Sequence, residues 1–195
     1  MSKPRLTVII GSTRPGRVGP SVADWFRLRA IAHGEFDVEV VDLADVALPL
    51  LEEPNHPRLG RYVHDHTKAW SATVERADAI VWVMPEYNHS FNAAMKNAID
   101  YLHQEWASKP VGLVSYGGVA AGTRAVQALK PVLAALKMVP LAESVNIPFV
   151  HSLVKDGRFD APDAVNAGAD LLLDELVRWT AALLPLRELT EKLAS

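Results

Sequence analysis

Residues 8–26 read VIIGSTRPGRVGPSVADWF, an apolar strand that passes through a glycine-rich turn into a helix. The turn holds Gly11, Gly16 and Gly19 together with Arg14 and Arg17. A helix start offers backbone N–H groups without intrahelical partners and a partial positive charge, so the stretch reads as an anion cradle. A surface turn whose arginines are merely solvated is the competing reading. Gly11 and Gly16 have the spacing that opens a GxxxxGK[ST] triphosphate loop, but Arg17 and Val18 stand where its lysine and hydroxyl belong. The dinucleotide pattern GxGxxG fails because position 13 is Thr, and a pyrophosphate needs the close backbone approach that glycine permits. Asp42 resembles the ribose-binding acid of that motif and is read instead as an ordinary strand-end carboxylate. What remains suits a compact terminal phosphate. Ser12 and Thr13 supply hydroxyls, N–H groups around Gly16 to Gly19 point inward, and Arg14 or Arg17 adds a charge-assisted contact.

Outward from this loop, short apolar runs alternate with segments of helical period. RLTVIIG (5–11), VEVVDL (38–43), AIVWVMP (79–85) and VGLVSYG (111–117) read as strands, each nearly continuous in aliphatic residues. That pattern is expected when helices cover both faces of a parallel sheet. A fifth strand lies within MVPLAESVNIP (138–148), where a proline at either end suits an edge. Among the helices, Val22, Trp25, Phe26 and Arg29 share a face of the first. Tyr62, His66, Ala69, Trp70, Thr73 and Ala77 share a face of the second. Phe91, Ala94, Met95, Ala98, Ile99 and Leu102 form the sharpest stripe. The fourth carries Val126, Leu129, Leu133 and Leu136, with Pro131 expected to kink or interrupt it. The last runs from about Pro162 to Leu184, through Val165, Leu172, Leu173, Leu176 and Thr180. This β–α alternation implies one doubly wound α/β domain spanning 1–195, with ligands at the carboxyl ends of the strands beside the topological switch point.

Composition removes several classes of function. With 195 residues, 49% hydrophobic and 22% charged, the chain is an ordinary globular one with length for a well-buried core. A formal net charge of −3 gives no basic field for nucleic acid. The absence of cysteine excludes disulfides and thiolate chemistry and suits a cytoplasmic setting. The start MSKPRLTVII has no signal-like apolar region, and no run is long enough to span a bilayer. No membrane or nucleic-acid partner is expected.

Two further strand ends complete the site. In MPEYNHSFNAAMKNAIDYL (84–102), Pro85 and Asn88 form turns, Tyr87 is an aromatic plate, and Ser90 is read as the cap of the following helix. Backbone groups there can read the edge of a heterocycle. A plain stop-and-turn signal is the alternative. In SYGGVAAGTRA (115–125), Gly117 and Gly118 remove side chains where a backbone meets a flat ring, although glycine also serves loops for conformation alone. Phosphate, edge and face contacts at three adjacent strand ends together point to flavin mononucleotide (FMN).

GSTRPGRVGPSVADWF, MPEYNHSFNAAMKNAIDYL and SYGGVAAGTRA closely resemble the NAD(P)H-dependent FMN reductase family of flavodoxin-like flavoproteins, over residues 5 to about 150. The resemblance implies a five-stranded parallel sheet of order 2-1-3-4-5. It implies that Ser12, Arg14, Arg17, Val18 and Gly19 hold the FMN phosphate. Pro85, Glu86, Tyr87 and Asn88 would line the isoalloxazine, with Ser115, Tyr116, Gly117 and Gly118 on its other side. It also implies a dimer built from the third and fourth helices, as a homodimer or homotetramer. Many members have Gly after Asn88 and Pro before the Ala-rich part of the helix. This chain has His89 and Asn92 instead, and both are expected at the rim, where they bear on substrate choice.

Other constellations are weaker. His64 and His66 are two apart, diverge on a helix, and with His56 and Asp65 make no convergent metal site. GxSxG is absent, and Glu52 with Glu53 read as solvated rather than as an acid/base pair. Lys96 and Asp100 pair on a helix surface. The tail PLRELTEKLAS either adds to assembly or ends the fold. The expectation is an oxidoreductase that passes hydride from NADPH or NADH to FMN and on to free flavin, a quinone, an azo compound or a metal oxyanion. The cofactor carries the chemistry, so no catalytic acid or base is nominated. A flavodoxin-type electron carrier without pyridine-nucleotide turnover and a non-enzymatic scaffold are the rivals.

Overall fold

Every residue of strand β3 (Ala79–Pro85) is buried, and its side chains alternate between two cores. Ala79, Val81 and Val83 enter one, and Ile80, Trp82 and Met84 the other. This explains the unbroken apolar run, since a strand covered on both faces has no polar side to show. The strand lies at the middle of a computed structural model that describes residues 3–194. Around it are β1 (Arg5–Ile10), β2 (Asp37–Asp42), β4 (Pro110–Tyr116) and β5 (Val139–Ile147). All pair in parallel, in the order β2-β1-β3-β4-β5. The chain reverses its winding between β1 and β3, and there the loops after neighbouring strands part to leave a crevice. β5 takes the expected edge. β2, at the other edge, is only half covered, and Val40 is exposed.

Helices α1 (Gly19–His33) and α6 (Asp163–Ala194) pack on the face of Val81 and Val83. Their contacts keep one register: Trp25 Nε1 donates to Asn166 at 2.9 Å, Arg29 pairs with Asp170, and His33 meets Asp174 at 3.1 Å. The four-residue steps on both helices mean that they run side by side in the same direction. A small hairpin, β6 (Val154–Lys155) with β7 (Arg158–Phe159), precedes α6. The opposite face is covered by α3 (Asp65–Glu75), α4 (Ala93–Asp100) and α5 (Thr123–Ala135), while the short α2 (Leu43–Val46) follows β2.

Three sequence expectations need correction here. The second long helix begins at Asp65, beyond Tyr62, and buries Thr67, Trp70 and Val74, leaving Ala69 exposed. Trp70 Nε1 donates to the Ala98 carbonyl at 2.8 Å, and that bond sets the rotation of α3. Pro131 does not interrupt α5, and α6 continues past Leu184 through Pro185. Both prolines are exposed, as are Gln127 and Ala181 one turn earlier, so the carbonyl each proline leaves unpaired belongs to a residue on the solvent side. Most of the tail 185–195 is thus helix, its last residue lying outside the described ones.

At the amino end of the sheet, Lys109 is 2% exposed, and its ammonium donates to the carbonyls of Val74 and Glu75 (3.0 Å for the latter), closing the end of α3. Burial, with Arg187 nearby, pulls its pKa down to about 7. Among the described residues no helix is long and apolar enough to cross a membrane.

Candidate cofactor site

The loop after β1 is fastened at its root. Gly11 donates to the Val83 carbonyl at 2.9 Å, and its own carbonyl accepts from Asn92 Nδ2 at 2.6 Å. The other end of that amide, Oδ1, accepts from the Met95 amide at 3.2 Å and so caps α4. Asn92 is therefore the helix cap, in place of the expected Ser90, and at 7% exposure it is buried rather than at the rim. Asn caps as well as Ser, and only the amide has a donor left to reach across to the first loop.

The first turn of α1 is kept free of its own side chains. Val18 at its start makes no side-chain cap, and no acidic residue lies in the turn. Ser12 Oγ and the Tyr116 hydroxyl are both buried and neither completes a hydrogen bond. They meet at Gly19, where a Cβ would come within 2.8 Å of the Tyr116 hydroxyl and closer still to Ser12 Oγ. Buried donors without partners are costly, so their convergence on a helix start fits an oxyanion that accepts from them. Burial pushes the Tyr116 phenol up to about 12, while the Ser12 hydroxyl and the two arginines pull the other way. It stays protonated near neutrality and remains a donor.

Of the two arginines, Arg17 is committed. Its guanidinium grips Asp42 bidentately at 2.6 and 2.7 Å and also donates to the Ser12 carbonyl, and the bond to Asp42 raises its pKa further. Asp42 in turn caps α2 through the Ala44 amide at 2.9 Å. Arg14 is exposed and has no ion pair among the described residues. It is the uncommitted charge of the loop.

The other two loops form a flat mouth. Tyr87 and Ser90 exchange backbone hydrogen bonds at 2.9 and 3.0 Å around Asn88 and His89, both with positive φ (49° and 68°). This is the geometry of a type I′ turn, which favours Asn-Gly. Glu86, its side chain 6% exposed, pairs with Arg124 of α5, whose guanidinium also reaches His89 Nε2 at 2.8 Å. The next loop is held by Ser115, whose hydroxyl lies 2.8 Å from both the Ala121 carbonyl and Asn146 Oδ1. Gly118 has open space where a Cβ would stand. After β5 the chain straps this loop, since Phe149 donates to the Gly118 carbonyl and Val150 to that of Gly117, each at 3.2 Å.

These pieces enclose a cavity of about 450 Å³. Arg14, Arg17 and Val18 line it from the first loop, Pro85, Glu86 and Tyr87 from the second, and Tyr116, Gly117 and Gly118 from the third. Ser12 and Gly19 lie behind that lining, Asn88 is exposed on the turn, and Ser115 serves its loop from within. Phe149, Val150, His151 and Ser152 complete the wall and were not anticipated. No glycine pattern marks them. Only the pairing of β5 beside β4 brings them to the mouth, and the Pro148 that ends the strand was the available signal.

Elsewhere, His64 precedes α3, so its ring stacks on that of His66 at 5.2 Å instead of diverging from it. The described residues contain no group of side chains that could hold a metal. Glu53 accepts from the amides of Val63 and His64 at 2.9 and 3.1 Å. Partial burial works against its ionisation, but those bonds hold its pKa below the usual carboxylate value. It organises a loop and is not half of an acid/base pair. Lys96 and Asp100 pair at 2.5 Å as expected.

Comparison with known proteins gives the family and the fold. Residues 4–152 match the family of NADPH-dependent FMN reductases. An NAD(P)H-dependent FMN reductase of Schizosaccharomyces pombe is 41% identical over 149 residues, 74% of each chain. A quinone reductase of Pseudomonas putida is 30% identical over 139 residues, covering 68% of this chain and 71% of the relative. FerB of Paracoccus denitrificans, a flavoenzyme NAD(P)H:(acceptor) oxidoreductase, superposes with a TM-score of 0.74 at 21% identity, over 92% of this chain and 98% of that one. At that identity the match speaks for the fold.

Proposed function

Because the chain belongs to the NADPH-dependent FMN reductase family and is an NAD(P)H-dependent FMN oxidoreductase, we propose that the 450 Å³ cavity is where it holds FMN. The observation that carries the proposal is the pair of buried, unpartnered hydroxyls of Ser12 and Tyr116 at the start of α1. They and the free amides of the helix start would donate to the phosphate, with Arg14 closing over it from solvent. Arg17 braces the loop through Asp42 and offers the phosphate only the donors that Asp42 and Ser12 leave over. Gly19 keeps the space clear, and Val18 packs at its edge.

The ring would rest between the turn of Pro85, Glu86, Tyr87 and Asn88 and the loop of Ser115, Tyr116, Gly117 and Gly118. Glu86 sets the first of these by its grip on Arg124. Gly118, which has nothing within 4 Å of a built Cβ, lets a ring face approach the backbone of the second. Bound FMN supplies hydride acceptance from NAD(P)H and the onward transfer of electrons. The chain itself positions, desolvates and keeps the phenol of Tyr116 protonated.

The acceptor is a small molecule. A quinone-class acceptor is favoured by the likeness to a quinone reductase and by the backbone of Gly117 and Gly118 with the side chains of Phe149 and Val150 on one wall of the cavity. The whole chain, 1–195, acts as one flavodoxin-like unit and pairs into a homodimer. Leu50, 83% exposed, and Leu51, whose amide is tied to Asn97 of α4 at 2.9 Å, give that side of the molecule an apolar surface to cover. A cytoplasmic setting, with its pool of reduced pyridine nucleotide, completes the reading. The test is to titrate apoprotein with FMN by fluorescence and then add NADPH without oxygen. Saturable binding followed by bleaching of the visible flavin absorbance is expected. Binding without bleaching would leave an electron carrier, and no binding would remove the site.

A further inference from the structure

Phe149 stands in the left-handed backbone region, φ 48°, and is 58% exposed. That conformation is unfavourable for a bulky aromatic residue, and exposure forgoes the burial that would offset it. The Gly118 carbonyl holds its amide, which keeps the ring at the lip of the cofactor cavity. The same residue, with Ser152, lines a second cavity of about 600 Å³ between the edge strand β5 and the first turns of α6. Val145, Pro148, Leu153, Pro162 and Val165 make this second wall apolar, and its two prolines stiffen it. No lining residue is charged. Gly168 also lines it, within the helix, and a Cβ built there would meet nothing within 4 Å. Glycine weakens a helix interior, and here neither a turn nor close packing requires it. Space held open at the expense of helix propensity is the mark of a position that leaves room for something else.

We infer that Phe149 and the cleft behind it form a subsite for the apolar substituent of a planar, uncharged acceptor of the quinone class. The acceptor's reducible ring reaches the cofactor cavity across the Phe149 face. The inference rests on the reading of the first cavity as the FMN site. An adenylate phosphate of the pyridine nucleotide would find no cation in the cleft and would lose its hydration there, so the nucleotide is not the occupant. In the overall reaction the quinone gains a hydride equivalent from NAD(P)H and one proton from water, giving hydroquinone and NAD(P)⁺. The cleft adds affinity and takes no part in that transfer.

Two variants test this. Gly168→Leu fills the cleft from a helical position that leucine favours. Phe149→Gly removes the ring and suits the backbone. FMN-loaded protein with NADPH is assayed against unsubstituted benzoquinone and a decyl-substituted benzoquinone. Binding of the decyl compound to the same proteins is measured by calorimetry, alongside thermal midpoints. Each variant is expected to raise KM for the decyl compound about tenfold, with a matching loss of calorimetric affinity, and Gly168→Leu, which lies away from the cofactor cavity, is expected to leave KM for benzoquinone and for NADPH unchanged. The thermal midpoint of Phe149→Gly is expected to hold or rise. In Gly168→Leu, equal changes for both quinones, no change for either, or a rise confined to NADPH would overturn the inference. A wild-type protein that fails to bind FMN or to bleach with NADPH would instead overturn the cofactor site, so the two failures read apart.

Discussion

The unpaired hydroxyl of Tyr116 gives one substitution two opposite signs. Tyr116→Phe deletes a buried polar group that has no partner, so the apoprotein is expected to gain about 1 kcal/mol in urea unfolding. The same change removes a donor from the phosphate and is expected to weaken FMN binding about tenfold, read by fluorescence titration. A purely structural phenol would show neither the gain nor the split. His89 makes a different point. Its φ of 68° lies in a type I′ turn where glycine is preferred, so the departure from the family's pattern carries a backbone cost. His89→Gly is expected to stabilise the protein by about 1 kcal/mol, and an unchanged unfolding midpoint would show that the contact with Arg124 repays the strain. The first loop and the Pro-Glu-Tyr-Asn turn were readable because glycine, proline and asparagine leave a local signature. Phe149 was not, because Pro148 marks only the end of the strand and not the backbone angle that follows it.

Asn92 links two elements with one side chain, holding Gly11 by its amide and Met95 by its carbonyl oxygen. Asn92→Ala is expected to cost about 1–2 kcal/mol through loss of the cap. It is also expected to weaken FMN binding, since the root of the phosphate loop loses its tether. Asn92→Asp keeps the cap but offers no donor to Gly11, so it should recover stability in thermal melts without recovering affinity. Ser90 suits a cap by residue type. The choice between Ser90 and Asn92 turns on where the type I′ turn ends, which is a matter of backbone pairing between Tyr87 and Ser90. Likewise His64 and His66 diverge only if both are helical, and α3 starts between them. Apolar stripes located α4, α5 and the start of α6, though not its end. The α3 stripe was misjudged because alanine and threonine tolerate either face, while the bond from Trp70 to Ala98 decides which is buried.

The sheet as a whole was legible because strands covered on both faces must be apolar throughout, and β–α alternation leaves few ways to wind them. Its order, 2-1-3-4-5, came from resemblance to a family and not from any periodicity. The charges at the far end of the sheet were not legible at all, and Lys109 shows why they matter. Its folded pKa of about 7 lies below the ordinary lysine value of 10.5. Between those two values the unfolded chain binds the proton and the folded chain does not, so stability rises with pH across that window. Below about pH 7 both forms bind it and the full penalty of the buried charge is present. Urea midpoints of the wild type are expected to climb from pH 7 to 10, and those of Lys109→Met to climb less. Parallel curves would mean that the amine is hydrated in the folded state.

The cradle at the start of α1 has a consequence for the protein's life in a cell. On the proposed reading, Ser12 and Tyr116 gain an acceptor only when FMN is bound, so the FMN-free protein is the less durable form and binding raises stability by mass action. Chains made when flavin is scarce open more often and meet proteases more often. The standing amount of this protein should therefore follow the supply of the vitamin from which its prosthetic group is made.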